Sequence, residues 1–134
     1  MIVHERAIRF EEVDAAGIVF FARFLGYCHE AMEKLFGGVE GGYVDLITRR
    51  KIGFPAVHVT CDFRAPVRYG DVIRIAVTVP KIGTTSCTLR YAITGADGAD
   101  VATIEHVVVS TDLETMTKLP LPADARAVLE EHRA

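Results

Sequence analysis

The second half of the chain alternates between apolar and polar residues with a period of two, the pattern of β-strands that bury one face. The alternation covers residues 56–63, 72–79, 85–93 and 101–111. Segments rich in glycine, proline and aspartate separate these stretches, at Ala65–Asp71 and Gly95–Asp100. Such segments are typical of turns, so we predict antiparallel strands joined by hairpins. A further strand is predicted near the N-terminus, over residues 3–10.

One long stretch has the period of an α-helix instead. Between residues 19 and 36, apolar side chains recur three and four positions apart, which predicts an amphipathic helix. Its apolar stripe consists of Phe21, Phe24, Leu25, Cys28, Met32 and Leu35. Gly37 and Gly38 follow the stripe, and we expect them to end the helix in a left-handed cap. Shorter helices are predicted over residues 43–50 and 123–132.

The predicted order is a strand, a long helix and then about four antiparallel strands. Strands grouped by hairpins, with one helix set apart from them, indicate an α+β fold in which one sheet face packs on the helix. The length of 134 residues is that of a single domain, which we place at residues 1–134. A sheet of this kind has open edges, so pairing with a second copy of the chain is expected.

Composition and charge exclude several classes of function. The net charge is −3, so no general basic field attracts nucleic acid or anionic lipid. No apolar run reaches the roughly 18 residues of a membrane span, and the N-terminus lacks the apolar core of a signal peptide. The three cysteines are widely spaced and lie at apolar positions. We therefore expect reduced core thiols in a cytoplasmic protein, with no zinc site.

The first candidate for chemistry is Asp14, in the loop before the long helix. One interpretation is a turn or N-cap residue, since aspartate is common in both places. Alternatively, it acts on a ligand held at the helix N-terminus, where free N–H groups of Phe20, Phe21 and Ala22 bind an oxyanion. Gly17 would then let a substrate carbonyl approach the backbone closely. A carboxylate beside such donors can attack an acyl group or activate water.

Two motifs are similar to those of a known family. The segment "VDAAGIVFFARFLGYCHEAM" resembles the hot-dog-fold acyl-CoA thioesterases of the 4-hydroxybenzoyl-CoA thioesterase type, and "FRAPVRYGD" resembles their Pro-x-x-x-Gly-Asp turn. The resemblance extends along nearly the whole chain. It implies a hot-dog fold, with a sheet of about five strands wrapped around one long central helix. It also implies hydrolysis of a coenzyme A thioester by a homodimer or homotetramer with sites between subunits.

The same resemblance assigns roles to individual residues. Asp14 takes the place of the catalytic carboxylate, and the backbone N–H of Phe21 polarises the thioester carbonyl. Short-chain acyl-CoA thioesterases of this type often carry a histidine where this chain has Phe20 and Phe21, so its absence favours an aromatic acyl group. His29 lies close to the position where the hydroxybenzoyl enzyme has a carboxylate that meets the ring hydroxyl.

Other polar residues are weaker candidates. A histidine on a strand or helix is usually structural, but His58 could line a subunit interface beside the pocket and His29 could face the acyl group. His106 alternates with the polar side of its strand and receives no role. Cations are the candidates for holding the CoA phosphates, because guanidinium and ammonium groups suit phosphate. They are Arg64, Arg68, Lys81 and Arg90. No pair of histidines has the spacing of metal ligands.

Together with these residues, the resemblance implies an acyl-CoA thioesterase for an aromatic acyl group, with an apolar wall made by Phe20, Phe21 and Phe24. Asp14 would act as nucleophile or as general base, and no cofactor is expected because coenzyme A is part of the substrate. Three alternatives remain: a thioesterase for short aliphatic acyl groups, a non-catalytic acyl-CoA-binding module, and a hot-dog dehydratase. The dehydratase ranks last, because no histidine follows Asp14 at the spacing this chemistry uses.

Overall fold

A computed structural model describes all 134 residues and shows a five-stranded antiparallel sheet with one long helix against it. The strands are β1 (Ile2–Ala7), β2 (Ile52–Gly53), β3 (Ala56–Phe63), β4 (Val72–Ile82), β5 (Ser86–Gly95), β6 (Asp100–Val109), β7 (Thr111–Asp112) and β8 (Thr117–Lys118). The helices are α1 (Arg23–Phe36), α2 (Gly42–Thr48) and α3 (Ala123–Glu131), with a 3₁₀ turn at Phe10–Glu12. The large sheet has the order β1-β4-β5-β6-β3, and β2, β7 and β8 form a small second sheet. The predicted α+β architecture is confirmed.

The core lies between α1 and the inner face of the sheet. Ile73, Ile75, Val77 and Val79 alternate along β4 and are fully buried there. Helix α1 packs over β4 and β1. The predicted stripe supplies its buried side in part, through Phe24, Cys28, Met32 and Leu35, together with Tyr27, Ala31 and Phe36. No helix of the structure has both the length and the apolar character needed to cross a membrane.

Helix α1 starts later than predicted, at Arg23 instead of residue 19. The cause is pairing with distant segments: the Val19 N–H donates to the carbonyl of Val67 at 2.8 Å, and the Phe20 N–H donates to the carbonyl of Glu12 at 3.2 Å. These bonds hold residues 19 and 20 outside the helix. The periodicity of the side chains does not reveal them, because both partners lie outside the helical window.

The C-terminal end of α1 also differs from the prediction. Gly37 has φ −59°, in the right-handed region, so no left-handed cap is present. Close packing explains the glycine at the next position. A Cβ on Gly38 would lie 3.1 Å from a side-chain methyl of Val128 in α3. The absence of a side chain therefore lets α3 approach the end of α1.

Strand β3 forms one edge of the large sheet and is exposed along its whole length. Cys61 on this strand is exposed as well, whereas Cys28 and Cys87 are buried. The expectation of three core thiols is thus wrong for Cys61. Its phase along the strand is apolar, but β3 lies at the open edge of the sheet, where the core does not cover it. Phe21 and Leu25 of the predicted helix stripe are likewise exposed, by 65% and 46%.

An ion pair fastens α3 to the end of α2. Arg50 Nη1 donates to Asp124 Oδ2 at 2.7 Å, and the Glu40 N–H donates to the same oxygen at 3.2 Å. The hydrogen bond from Arg50 is the main cause that lowers the pKa of Asp124 to about 2. Because the pKa is depressed by folding, the pair stabilises the protein above the unfolded-state pKa, and the stabilisation is lost as pH falls through the folded-state value.

Replacing Asp124 with asparagine is expected to lower the free energy of unfolding at pH 7 by about 1–2 kcal/mol, since the side chain is partly exposed. The variant should also lose less stability than the wild type between about pH 4 and pH 2, because the titrating carboxylate is gone. Urea unfolding at several pH values measures both effects. Glu131→Gln, which removes an exposed carboxylate without an ion pair, is the control; an equal loss in both variants would contradict the assignment.

Candidate active site

A cleft opens where the loop before α1 meets the end of β3. It has a volume of about 370 Å³. Its walls come from the loop, the start of α1 and the segment after β3, and they are mostly apolar. They are formed by Ile18, Val19, Phe21, Phe24, Phe63, Arg64, Ala65, Pro66 and Val67. The segment "FRAPVRYGD", the second of the two family motifs, therefore lies against the loop that carries Asp14. The sequence alone does not show this proximity.

Asp14 begins a tight turn at the edge of this cleft. Its N–H donates to the carbonyl of Ile18 at 2.8 Å, and its carboxylate Oδ1 accepts the Ala16 N–H at 2.8 Å. Asp14 is therefore a turn residue and does not cap α1. Oδ2 has no hydrogen-bond partner in the chain, and the side chain is exposed. The carboxylate does not line the cleft within one chain, but its turn delivers Ile18 and Val19 to the cleft wall.

Two backbone N–H groups at the helix start are free. The N–H groups of Phe21 and Ala22 donate to no group of the chain, and no acidic side chain caps the first turn of α1. The Phe20 N–H, which we also predicted as a donor, is occupied by the carbonyl of Glu12. The predicted donor set is thus corrected to residues 21 and 22. Neighbouring free N–H groups at a helix start can bind an oxyanion.

Gly17 has φ +77°, a backbone conformation that glycine adopts without strain. A Cβ at this position would have no atom within 4 Å, so the space above Gly17 is open. The glycine therefore serves the turn through its conformation, and it leaves the backbone accessible from outside.

The three phenylalanines of the predicted wall lie in different surroundings. Phe24 is 4% exposed and packs on Phe63 with ring centroids 5.3 Å apart. Phe21 lines the cleft and is largely exposed. Phe20 does not line the cleft of a single chain, and its one aromatic neighbour is Phe21, at 4.9 Å between ring centroids.

A buried ion pair holds the loop against β1. Arg6 Nη1 donates to Glu12 Oε1 at 2.7 Å, and both side chains are about nine-tenths buried. The Arg9 N–H donates to the same carboxylate oxygen at 2.8 Å. Burial raises the pKa of Glu12, but the hydrogen bonds from Arg6 and Arg9 outweigh it and hold this pKa below its usual value. Since the Glu12 carbonyl also accepts the Phe20 N–H, this pair fixes the chain just before the free donors.

Two of the four predicted cations are paired within the chain. Arg64 Nε donates to Asp100 Oδ2 at 2.6 Å, and Arg90 Nε donates to Glu105 Oε2 at 3.1 Å. Both pairs are partly exposed. Exposed pairs contribute little to stability, so a phosphate can compete with the carboxylates for these guanidinium groups.

The other two cations, Arg68 and Lys81, form no ion pair in the chain. Arg68 lies beside Ile18 through a β-bridge, next to the Asp14 turn. Lys81 lies near the far end of β4. It is nine residue steps along the strand from Val72 at the start of β4, which corresponds to about 30 Å. Within one chain, Arg68 and Lys81 therefore cannot hold the same phosphate.

The histidines are distributed over both faces of the sheet. His58 pairs with Val107 on the outer face, away from α1. His29 and His106 line a second cavity between α1 and the sheet, with a volume of about 200 Å³. We expected His106 on the polar side of β6, and this is wrong. Its partner Leu89 is fully buried on the inner face, so His106 faces the helix. The cross-strand register is the signal that would have placed it there.

Comparison with known proteins identifies the family. Residues 8–129 match the model of the thioesterase-like superfamily.

The chain belongs to this superfamily.

The most similar relatives include the 1,4-dihydroxy-2-naphthoyl-CoA hydrolase of Nostoc punctiforme, which is 34% identical over 97% of this chain and 87% of the relative. A 1,4-dihydroxy-2-naphthoyl-CoA thioesterase from Synechocystis is 27% identical, with a TM-score of 0.87 over 96% of this chain and 95% of that one. A gentisyl-coenzyme A thioesterase is 26% identical, with a TM-score of 0.84 over 93% of this chain and 99% of that one.

These matches confirm the hot-dog fold and the class of enzyme predicted from the two motifs. The chain is therefore a thioester hydrolase. Its cleft, the Asp14 turn and the free N–H groups lie within the matched residues. No group of three histidine, cysteine, aspartate or glutamate side chains converges in the structure as the ligands of a metal ion would.

Proposed function

We propose that the chain hydrolyses the coenzyme A thioester of an aromatic acid, with Asp14 as the catalytic carboxylate. The observation that carries this proposal is the pair of free N–H groups at Phe21 and Ala22, at the helix start where Phe21 borders an aromatic-walled cleft beside the Asp14 turn. Hydrolases and thioesterases that resemble the chain are named for naphthoyl and gentisyl thioesters. Both acyl groups are aromatic, which agrees with the phenylalanine wall.

The thioester carbonyl binds with its oxygen at the free N–H groups. As the carbonyl carbon becomes tetrahedral, negative charge develops on this oxygen, and the two peptide donors stabilise it. In the general-base route, Asp14 accepts a proton from water while the hydroxyl oxygen bonds to the carbonyl carbon. The C–S bond then breaks, and the CoA thiolate receives the proton from Asp14.

In the nucleophilic route, an Asp14 oxygen bonds to the carbonyl carbon and the CoA thiolate leaves, which forms a mixed anhydride. Water then hydrolyses the anhydride and releases the acid. Oδ2 is the oxygen available for either role, because Oδ1 holds the Ala16 N–H. A single turnover in isotopically labelled water tests the second route: label in the Asp14 carboxylate shows an anhydride opened at the aspartyl carbon, which direct attack of water on the thioester cannot give.

Arg68 is the cation best placed for the CoA phosphates of the same chain, because it lies beside the Asp14 turn without a carboxylate partner. Arg64 at the cleft wall is the second candidate for binding these phosphates, provided that a phosphate displaces its partner Asp100. We place Lys81 and Arg90 lower, since Lys81 is remote and Arg90 lies paired with Glu105 on β5.

A screen for released thiol tests the proposal. Benzoyl, hydroxybenzoyl, gentisyl and 1,4-dihydroxy-2-naphthoyl esters of coenzyme A represent aromatic substrates, and short aliphatic esters represent the alternative. The proposal requires kcat/KM to be highest for an aromatic ester. Preference for an aliphatic ester would contradict the aromatic assignment, and binding of CoA esters without turnover would indicate a non-catalytic module.

We further propose that two copies pair through β3, which completes the site. Strand β3 is an open edge with exposed apolar side chains, including Val57, Val59 and Phe63. Exposed edges of this kind pair readily with another strand. The exposed Asp14 carboxylate would then face a cleft closed by the partner, as expected for a site between subunits. A tetramer would be a second association of such dimers.

Reaction of Cys61 with a thiol reagent tests this pairing. In the dimer, we expect Cys61 to react slowly. Its reaction should become fast on dilution to concentrations at which the chain is monomeric, because β3 is then uncovered. Cys28 and Cys87 should stay unreactive until unfolding, as they are 3% and 1% exposed. Cys61→Ser identifies the signal, and light scattering gives the oligomeric state. A fast, concentration-independent reaction of Cys61 in a sample that scatters as a dimer would contradict pairing through β3.

A further inference from the structure

The second cavity lies between α1 and β3, the two elements that also border the cleft. It is lined by Leu25, Cys28, His29, Ala56, Val59, Tyr91, Ile104 and His106, and we call it the His106 cavity. Leu25 and His29 are four residues apart and share one face of α1, and Phe21 lies just before the helix begins at Arg23. His29 therefore lies about 6 Å beyond Leu25 along the helix axis, at the side away from Phe21. The opposite wall is β3, where Phe63 borders the cleft and Val59 borders the His106 cavity.

A hydrogen bond between Tyr91 and His106 orients the polar groups of this cavity. The Tyr91 hydroxyl lies 3.0 Å from His106 Nδ1, and it has no other hydrogen-bond partner. Tyr91 is fully buried. A buried hydroxyl hydrogen requires an acceptor, so Tyr91 donates to Nδ1. Burial raises the pKa of Tyr91, which keeps the hydroxyl protonated for this bond.

This bond determines the protonation of His106. Burial, and secondarily the neighbouring His29, lower the pKa of His106 from its usual value, so the imidazole is neutral at pH 7. A neutral imidazole whose Nδ1 accepts a hydrogen bond carries its proton on Nε2. Nε2 is not bonded to any group of the chain and is not sealed from solvent. The His106 N–H is thus an oriented donor in mostly apolar surroundings; the other imidazole of the cavity, that of His29, has its Nδ1 3.1 Å from Glu33 Oε2.

We propose that His106, held by Tyr91, determines specificity by donating its Nε2–H to a ring hydroxyl of the acyl group. The hydroxyl concerned points away from the thioester, and the preferred substrates are accordingly hydroxylated aryl-CoA esters. This inference rests on the proposed function, since the carbonyl must lie at Phe21 and Ala22 for the ring to extend between α1 and β3 towards the His106 cavity. An aryl group without the hydroxyl leaves the N–H unpaired in an apolar site, which costs binding energy in the transition state.

Matched substrates isolate this one contact. 1,4-Dihydroxy-2-naphthoyl-CoA and 1-hydroxy-2-naphthoyl-CoA differ only in the hydroxyl that is not adjacent to the carbonyl-bearing carbon. Gentisyl-CoA and 2-hydroxybenzoyl-CoA form the corresponding pair with a single ring. We expect the wild type to favour the dihydroxylated member of at least one pair by about fivefold to a hundredfold in kcat/KM, the effect of one hydrogen-bond donor left unpaired.

Substitutions at His106 then test the donor. His106→Leu should reduce the kcat/KM ratio of the favoured pair to near one, whereas His106→Gln, which retains an N–H donor, should keep part of it. Tyr91→Phe should reduce the ratio partially, because the imidazole proton is no longer confined to Nε2. Val107→Thr on the outer face of the same strand is the control and should leave the ratio unchanged. Thermal unfolding of each variant shows that it is folded.

The possible outcomes separate this inference from the proposed function. Turnover of aryl esters with an unchanged ratio in folded His106→Leu overturns the role of His106 alone. If Leu and Gln variants lower kcat/KM for both members of each pair by equal factors, His106 is structural, and the inference is again overturned. If the wild type releases thiol from no aryl ester, the proposed function fails and this inference fails with it.

Discussion

Asp14→Asn is expected to lower kcat by about 10²–10⁴-fold, the range over which a positioned acid–base group contributes to catalysis. Asparagine has nearly the same shape as aspartate, and its side-chain oxygen can still accept the Ala16 N–H. The turn at residues 13–19 should therefore persist, and KM should change little. What is lost is the negative charge on the oxygen that no group of the chain occupies.

A matched control is available in the hairpin between β5 and β6. Asp97 Oδ1 accepts the Ala99 N–H at 3.0 Å, which is the same type of turn at a site distant in sequence from Asp14. Asp97→Asn should leave kcat unchanged. Steady-state kinetics on the best aryl ester measures both variants. A full rate in Asp14→Asn would contradict the catalytic role, and an equal loss in both variants would attribute the effect to the turn.

Arg6→Met is expected to cause the largest loss of stability, about 3–5 kcal/mol, because it leaves a buried carboxylate without its cation. Arg6 donates to Glu12 at 2.7 Å and to Glu30 at 2.9 Å, and its guanidinium carbon lies 4.2 Å from the Tyr27 ring centroid. Methionine fills part of the space but compensates neither charge. Since domains of this size are stable by only about 5–15 kcal/mol, the loss is large enough to be measured by urea unfolding.

The second variant for this test is Arg6→Met combined with Glu12→Leu. Removing both charges should recover a substantial part of the lost stability, because no uncompensated charge stays buried. Arg74→Met is the control, since Arg74 lies 3.8 Å from Glu5 in an exposed pair that should contribute at most about 1 kcal/mol. Similar losses in Arg6→Met and Arg74→Met would show that burial of the Arg6 pair has no special weight.

The parts of the fold that depend on local pattern could be predicted from the sequence. Alternation located the strands, and the spacing of Phe24, Cys28, Met32 and Leu35 located the buried side of α1. The start of α1 could not be predicted, because it depends on hydrogen bonds from residues 19 and 20 to Val67 and Glu12. Such bonds require the tertiary fold, and no periodic pattern of side chains encodes them.

The candidate site shows the same division. Asp14 and Gly17 were recognisable because a short motif contains them, whereas the Arg6–Glu12 pair that supports the loop was not. His106 was missed because β6 is apolar on both faces around it: Val107, Val108 and Val109 follow in sequence and hide the alternation. Only the pairing of β6 with β5 shows which face the imidazole takes. The exposure of Cys61 similarly depends on strand order.

The free donors at residues 21 and 22 belong to the main chain, and this has a consequence for how such an enzyme can change. Any residue except proline supplies the same N–H at position 21, while its side chain forms part of the cleft wall, the proposed acyl site. A substitution at this position would therefore change the shape of the acyl site and leave the oxyanion donor in place. Substitutions at this one position can therefore change the preferred acyl group while the backbone donor needed for hydrolysis is kept.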